Sequence, residues 1–170
     1  MKPQNDFQIE RQSQAAEIIA RLKAGAAEVL SKYPVEIAYL HGSVARGCPL
    51  PDSDVDIALV LTELPPAYER LQLELEIQAA LEDACDLSNL DVRTINYAPV
   101  MVQGGIIQEG ILLYNRDKAH RIAFEVLTRK RYFDFQPVAK RLQQSFFNRI
   151  QKKGFGRGQS KYHRFHSKQP

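Results

Sequence analysis

The chain has 170 residues, 44% of them apolar and 25% charged, a length that suits one domain with a packed core plus an appended segment. No apolar run approaches the roughly 18 residues of a membrane span, and the start Met-Lys-Pro-Gln-Asn-Asp lacks the apolar region of a signal peptide, so a cytoplasmic protein without a membrane partner is expected. The net charge of +3 hides an asymmetry: Phe135 to Pro170 carries nine Lys and Arg and no Asp or Glu, which leaves −6 for the first 134 residues.

Residues 13 to 32 place Ala15, Ile18, Ile19, Leu22, Ala26, Val29 and Leu30 at helical spacing and stop before Tyr33-Pro34. Val35 to Leu40 alternates as a strand that Gly42 ends, and a helical turn over Ser43 to Gly47 leads into the proline-rich loop Cys48-Pro-Leu-Pro-Asp52. Asp54 to Leu61 reads as a second strand, Ala67 to Ala84 as a helix opened by Pro65-Pro66, and Leu87 to Ile95 as a third strand with Asp91 on its polar side. A short helix from Asn96 and Pro99 to Glu109 stops at Gly110, Ile111 to Tyr114 is a last strand, and Asn115 or Asp117 caps a final helix in which Pro137 predicts a kink or break. From Gln151 the glycine-rich, aliphatic-poor end predicts a mobile tail. The two cysteines, Cys48 and Cys85, have no zinc spacing, so neither a disulfide framework nor a structural metal is expected.

The chemistry concentrates between Tyr39 and Val60. Asp54 and Asp56, two apart on a strand, leave the same face and point at one spot, where two like charges favour a cation. Gly42 and Ser43 offer backbone N–H groups and a hydroxyl to phosphate oxygens. With Asp91 as a third ligand and proton acceptor, the pattern reads as phosphoryl or nucleotidyl transfer by two Mg²⁺ ions on the order of 3.5 to 4 Å apart. Asp-x-Asp alone is common in loops, and Gly-Ser alone is weaker still; their joint occurrence across a ten-residue spacer is what carries the reading.

Gly42-Ser43, the ten residues Val44 to Ser53, and Asp54-Val55-Asp56 resemble the signature of the DNA polymerase β nucleotidyltransferase superfamily. More narrowly, His-Gly-Ser-Val-Ala-Arg-Gly, Leu-Asp-Val-Arg-Thr-Ile-Asn-Tyr-Ala-Pro at 90 to 99 and Glu-Gly-Ile-Leu-Leu-Tyr at 109 to 114 are similar to the minimal nucleotidyltransferase (MNT) antitoxins, over roughly residues 13 to 138. The resemblance implies an α+β nucleotidyltransferase fold, a small mixed sheet with helices on one side, as a domain of residues 1 to 138 followed by a basic helical extension and tail at 139 to 170. It further implies Mg²⁺ on Asp54, Asp56 and Asp91, the triphosphate of ATP on Gly42 and Ser43, and transfer of AMP to a tyrosine of a HEPN-domain ribonuclease toxin. Thr94 stands where many relatives carry a second Asp, and the basic extension goes beyond the minimal domain.

Other residues have two readings each. Arg46 reaches a phosphate or pairs with Asp52 or Asp54. His41 approaches the nucleotide or is a packed strand end, and Arg93 tunes Asp91 or is a solvated edge. Phe155, Tyr162 and Phe165 among basic residues suit RNA or a solubilising tail, while Arg157 and His163 echo a HEPN ribonuclease spacing that Gly156 and Gly158 argue against. Tyr132-Phe133-Asp134-Phe135 and Phe146-Phe147 suit a partner interface or burial on the first helix. The competing functions are a small-molecule nucleotidyltransferase, an antitoxin that acts by binding alone, and an RNA-directed transferase.

Overall fold

The computed structural model describes residues 4–51 and 53–153. The order is α1 (Gln4–Leu30), β1 (Val35–His41), α2 (Gly42–Ala45), β2 (Val55–Leu61), α3 (Ala67–Cys85), β3 (Leu90–Thr94), α4 (Val100–Glu109), β4 (Ile111–Asn115) and α5 (Lys118–Lys153). The four strands form one mixed sheet in the order β3-β2-β1-β4, in which β1 is antiparallel to β2 and β4, and β2 is parallel to β3. This is the α+β architecture expected. The chain divides into two compact units, Met1–Asp134 and Phe135–Pro170.

The expectation of helices on one side is corrected: both sheet faces are covered. On one face Leu22, Ala26 and Leu30 of α1 and Ile77 and Leu81 of α3 pack with Leu40, Ile57, Leu59 and Val92 in the larger core. Full burial of each such Leu or Ile is worth about 1.5–3 kcal/mol, and these are fully or almost fully buried. On the other face Ile37, Tyr39, Ala58 and Val60 meet Ile106 and Ile107 of α4, with Phe124 of α5 against them. The strict alternation along β2, with Val55, Ile57, Leu59 and Leu61 to one core and Ala58 and Val60 to the other, follows from the strand period of two.

Several boundaries move. Helix α1 begins at Gln4 rather than 13, because Gln, Glu and Arg extend a helix that apolar spacing does not announce. Strand β2 starts at Val55, which leaves Asp54 just ahead of it. Strand β3 is shorter than 87–95 because Asp86 and Asn89 adopt left-handed φ values of 50° and 59°, and Leu87 N–H turns back to the Glu82 carbonyl. Asp117 caps α5: its Oδ1 accepts N–H bonds from Ala119 at 2.6 Å and His120 at 2.9 Å, which hold its carboxyl below the usual range. The expected break at Pro137 does not occur; proline removes a single helical N–H bond, and the helix continues to Lys153, past the start of the expected tail. Tail residues 154–170, with Phe155, Arg157, Tyr162, His163 and Phe165, lie outside the described residues.

Candidate active site

The site is assembled by register. His41, the last residue of β1, pairs with Asp56 on β2, and Asp56 pairs with Asp91 on β3, so the three form one row across the sheet. Asp54 lies just ahead of β2, close enough for its charge to act on Asp56. The face of Asp56 is the one α4 covers over Ala58 and Val60; at the row itself Asp56 and Asp91 are only half-buried, and Asp54 is exposed.

Gly42 follows at once and is needed twice over. Its φ of +75° is a left-handed value that side chains resist, and a Cβ there would strike Oδ2 of Asp56. The Gly-Ser turn is therefore seated directly on the Asp56 carboxylate. Ser43 and the turn are braced from below by Cys48 N–H, which donates to the Ser43 carbonyl at 3.0 Å.

Electrostatics tie the cluster together. Asp56 is pushed above its ordinary pKa, chiefly by burial and further by the charges of Asp91 and Asp54, while His41 and Arg46 pull it down. His41 is lowered, chiefly by burial, so it enters the site as a neutral imidazole near pH 7.

Asp91 is reached by a short chain of ion pairs. Arg93 Nε donates to Asp91 Oδ1 at 2.8 Å, and its Nη1 lies 3.8 Å from Glu74 Oε2. Glu74 is buried and its Oε1 accepts the Thr94 N–H at 2.8 Å. Arg93 is both paired with Asp91 and exposed on the edge strand, so its position agrees with either reading. Arg46 pairs with Glu109 at 3.5 Å rather than with Asp54; Asp52 lies outside the described residues. Glu74 was missed in the sequence although a signal existed: with Ile77 and Leu81 it shares the buried face of α3.

Among the described residues no group of three or more His, Cys, Asp or Glu is gathered into a ready metal cage. The chemistry of the carboxylates nonetheless suits magnesium, since they offer only oxygen, Asp56 and Asp91 pair across adjacent strands, and Asp56 carries its charge against those of Asp91 and Asp54. Magnesium takes much of its shell from water and substrate phosphates, so a closed protein cage is not required.

The mixed four-stranded sheet that carries this row has the architecture of a nucleotidyltransferase. The chain belongs to the polymerase beta nucleotidyltransferase family, whose sequence model matches residues 26–119. A chain from a toxin-antitoxin crystal structure with AMP-PNP superposes with a TM-score of 0.58 at 20% identity, covering 78% of this chain and 98% of that one. A chain from the complex of a tri-AMPylated Shewanella oneidensis HEPN toxin with an MNT antitoxin gives 0.53 at 17%, covering 82% and 98%. One from the toxin-antitoxin MntA-HepT gives 0.53 at 19%, covering 71% and 92%. These likenesses establish the fold. No curated protein matches the chain. Among the described residues no helix is long and apolar enough to cross a membrane.

Proposed function

We propose that this chain is an antitoxin that transfers AMP from ATP to a tyrosine of a HEPN-domain ribonuclease, with which it assembles. The observation that carries the chemistry is the register row His41, Asp56, Asp91 with Gly42 seated on Asp56. The fold shared with chains of toxin-antitoxin complexes, one of them holding a tri-AMPylated HEPN toxin, supports the choice of a protein acceptor.

In this reading Gly42 and Ser43 hold the outer phosphates through backbone N–H groups and the hydroxyl. Asp54, Asp56 and Asp91 would hold magnesium, which when bound supplies positive charge that offsets the phosphate oxygens and the leaving pyrophosphate. The tyrosine oxygen forms a bond to the α-phosphorus as the bond from that phosphorus to the β-phosphate bridge oxygen breaks. The phenolic proton passes to the Asp91 carboxylate, which Arg93 and Glu74 hold in place.

The test is incubation of the chain with labelled ATP, Mg²⁺ and a HEPN partner, followed by mass spectrometry of the acceptor. Labelling that survives Asp54→Ala/Asp56→Ala would sink the proposal. A second reading, an antitoxin that neutralises by binding alone, draws on the 2.8 Å pair that engages Asp91 with Arg93. It predicts full neutralisation of the ribonuclease without nucleotide and with both carboxylates removed.

A further inference from the structure

Two helices carry apolar rows that face solvent. On α3 the side opposite the buried Ile77 and Leu81 presents Tyr68, Leu71 and Leu75, which are 73%, 44% and 55% exposed, and then Ala79. Steps of three, four and four residues set these side chains in one line along the helix. Beside it runs a line of exposed carboxylates, Glu69, Glu76 and Asp83, spaced by seven and without an ion pair among the described residues. Glu69 and Glu76 also border an open hollow of about 480 Å³ whose apolar lining is Pro34, Leu64, Pro65 and Leu73.

The far part of α5 offers the counterpart. Phe135, Val138, Leu142 and Phe146 repeat the steps of three, four and four, and all are exposed. From Arg141 to Arg149 every residue is exposed, so no side of the helix is covered there. A helix in a protein draws most of its stability from packing an amphipathic face, so a bare row of this kind calls for a partner. The charge is of one sign: Phe135 to Lys153 holds five Lys and Arg and no acid. Two such segments side by side would set cations against cations, which argues against α5 pairing with its own copy. Helix α3 supplies the opposite sign beside an apolar row of the same period.

We infer that α5 of one copy, from Phe135 onward, docks on α3 of a second copy, apolar row on apolar row, with Arg141 and Arg149 meeting the carboxylates of Glu69, Glu76 and Asp83. Rows at three- and four-residue spacing interlock when two helices lie side by side. The hollow next to Glu69 and Glu76 has room for a phenylalanine ring with a cation at its rim. RNA and a bilayer fit less well. Val138 and Leu142 have no ring to stack on a base, and the α5 row runs on into Arg149, whose charge a carboxylate can meet and an acyl layer cannot. The contact uses no residue of the carboxylate row at the sheet and is independent of the transfer chemistry.

Sedimentation velocity of the full chain over a range of concentrations, at low and at high salt, is the test. The native chain is expected to dimerise, less so at high salt, and Leu142→Ser to stay monomeric. Glu76→Lys and Arg141→Glu should each weaken association by about tenfold or more. Mixed together, these two variants should associate again, since the reversed charge on α3 of one meets the reversed charge on α5 of the other. All three positions are exposed, so circular dichroism should show the variants as helical as the native chain. A native chain that is monomeric throughout overturns the contact. So does association that Glu76→Lys leaves intact, which would mean α5 pairing with itself, or a mixture no stronger than its components. Leu142-dependent binding of RNA or anionic vesicles by a chain that does not self-associate would equally overturn it.

Discussion

The two faces of the sheet are made by the same strands and differ in what lies over them. One is covered from end to end by α1 and α3 and holds the larger core. The other is covered by α4 only over Ile37, Tyr39, Ala58 and Val60, and where that cover stops the strands present His41, Asp56 and Asp91. Alternation lets one strand serve both: Ile57 is fully buried in the larger core, and Asp56 beside it faces the open end. Stability and chemistry are thereby assigned to neighbouring residues with opposite directions, and substitutions should separate them.

The largest effect should come from the open end. Asp56→Asn is expected to lower transfer about a thousandfold, several kcal/mol of transition-state stabilisation at 1.36 kcal/mol per tenfold, without lowering the melting temperature at pH 7. Asp56 has a raised folded pKa, so the folded state binds more protons than the unfolded one as pH climbs past the ordinary value of 3.8, and stability falls across that window. Removing the charge removes that penalty. A melting temperature several degrees lower would contradict the division of labour.

On the covered face, Leu81→Ala should destabilise by about 2–5 kcal/mol, read by denaturant unfolding, while the folded fraction keeps its nucleotide affinity. Gly42→Ala tests the joint between the regions. It should cost about 1–3 kcal/mol in backbone strain and lose more activity than stability, because the new Cβ displaces Asp56. At the closed end of the second face, Tyr39 donates to Glu125 at 2.8 Å, and burial raises its phenol pKa. Tyr39→Phe should cost about 1 kcal/mol and leave transfer intact, since Glu125 keeps Arg121 and Arg129. The smallest effect is that of His41, followed by NMR: its pKa should lie below 6.5, so its contribution to stability is complete above 6.5 and is lost as pH falls through the lowered value.

The core of this arrangement was readable because it is local. Alternation identified β1 and β2, and the spacing from Gly42 to Asp56 fixed a turn and a carboxylate pair within fifteen residues. Asp91 was recognised as a strand carboxylate, but its place beside Asp56 depends on β3 running parallel to β2 across α3, which no short pattern encodes. Arg93 had the right neighbour; Glu74, which steadies it, looked like any helical glutamate until α3 was seen to bury it. The first turns of α1 escaped because residues 6 to 10 are exposed and leave no buried apolar stripe for periodicity to find. The second sheet cover escaped for a related reason. Helix α4 buries Gln103 as well as Ile106, and the Gln103 amide is used on the carbonyls of Ile95 and Asn96, which hides an amphipathic pattern.

The central claim is that the open end of the second face is a working active site. It is tested most directly by mass spectrometry of a HEPN partner after incubation with this chain, ATP and Mg²⁺. The account predicts AMP on a partner tyrosine, lost in Asp54→Ala/Asp56→Ala while the two proteins still associate. An unmodified partner that the native chain nevertheless silences, or AMP transfer by the double variant, would contradict it.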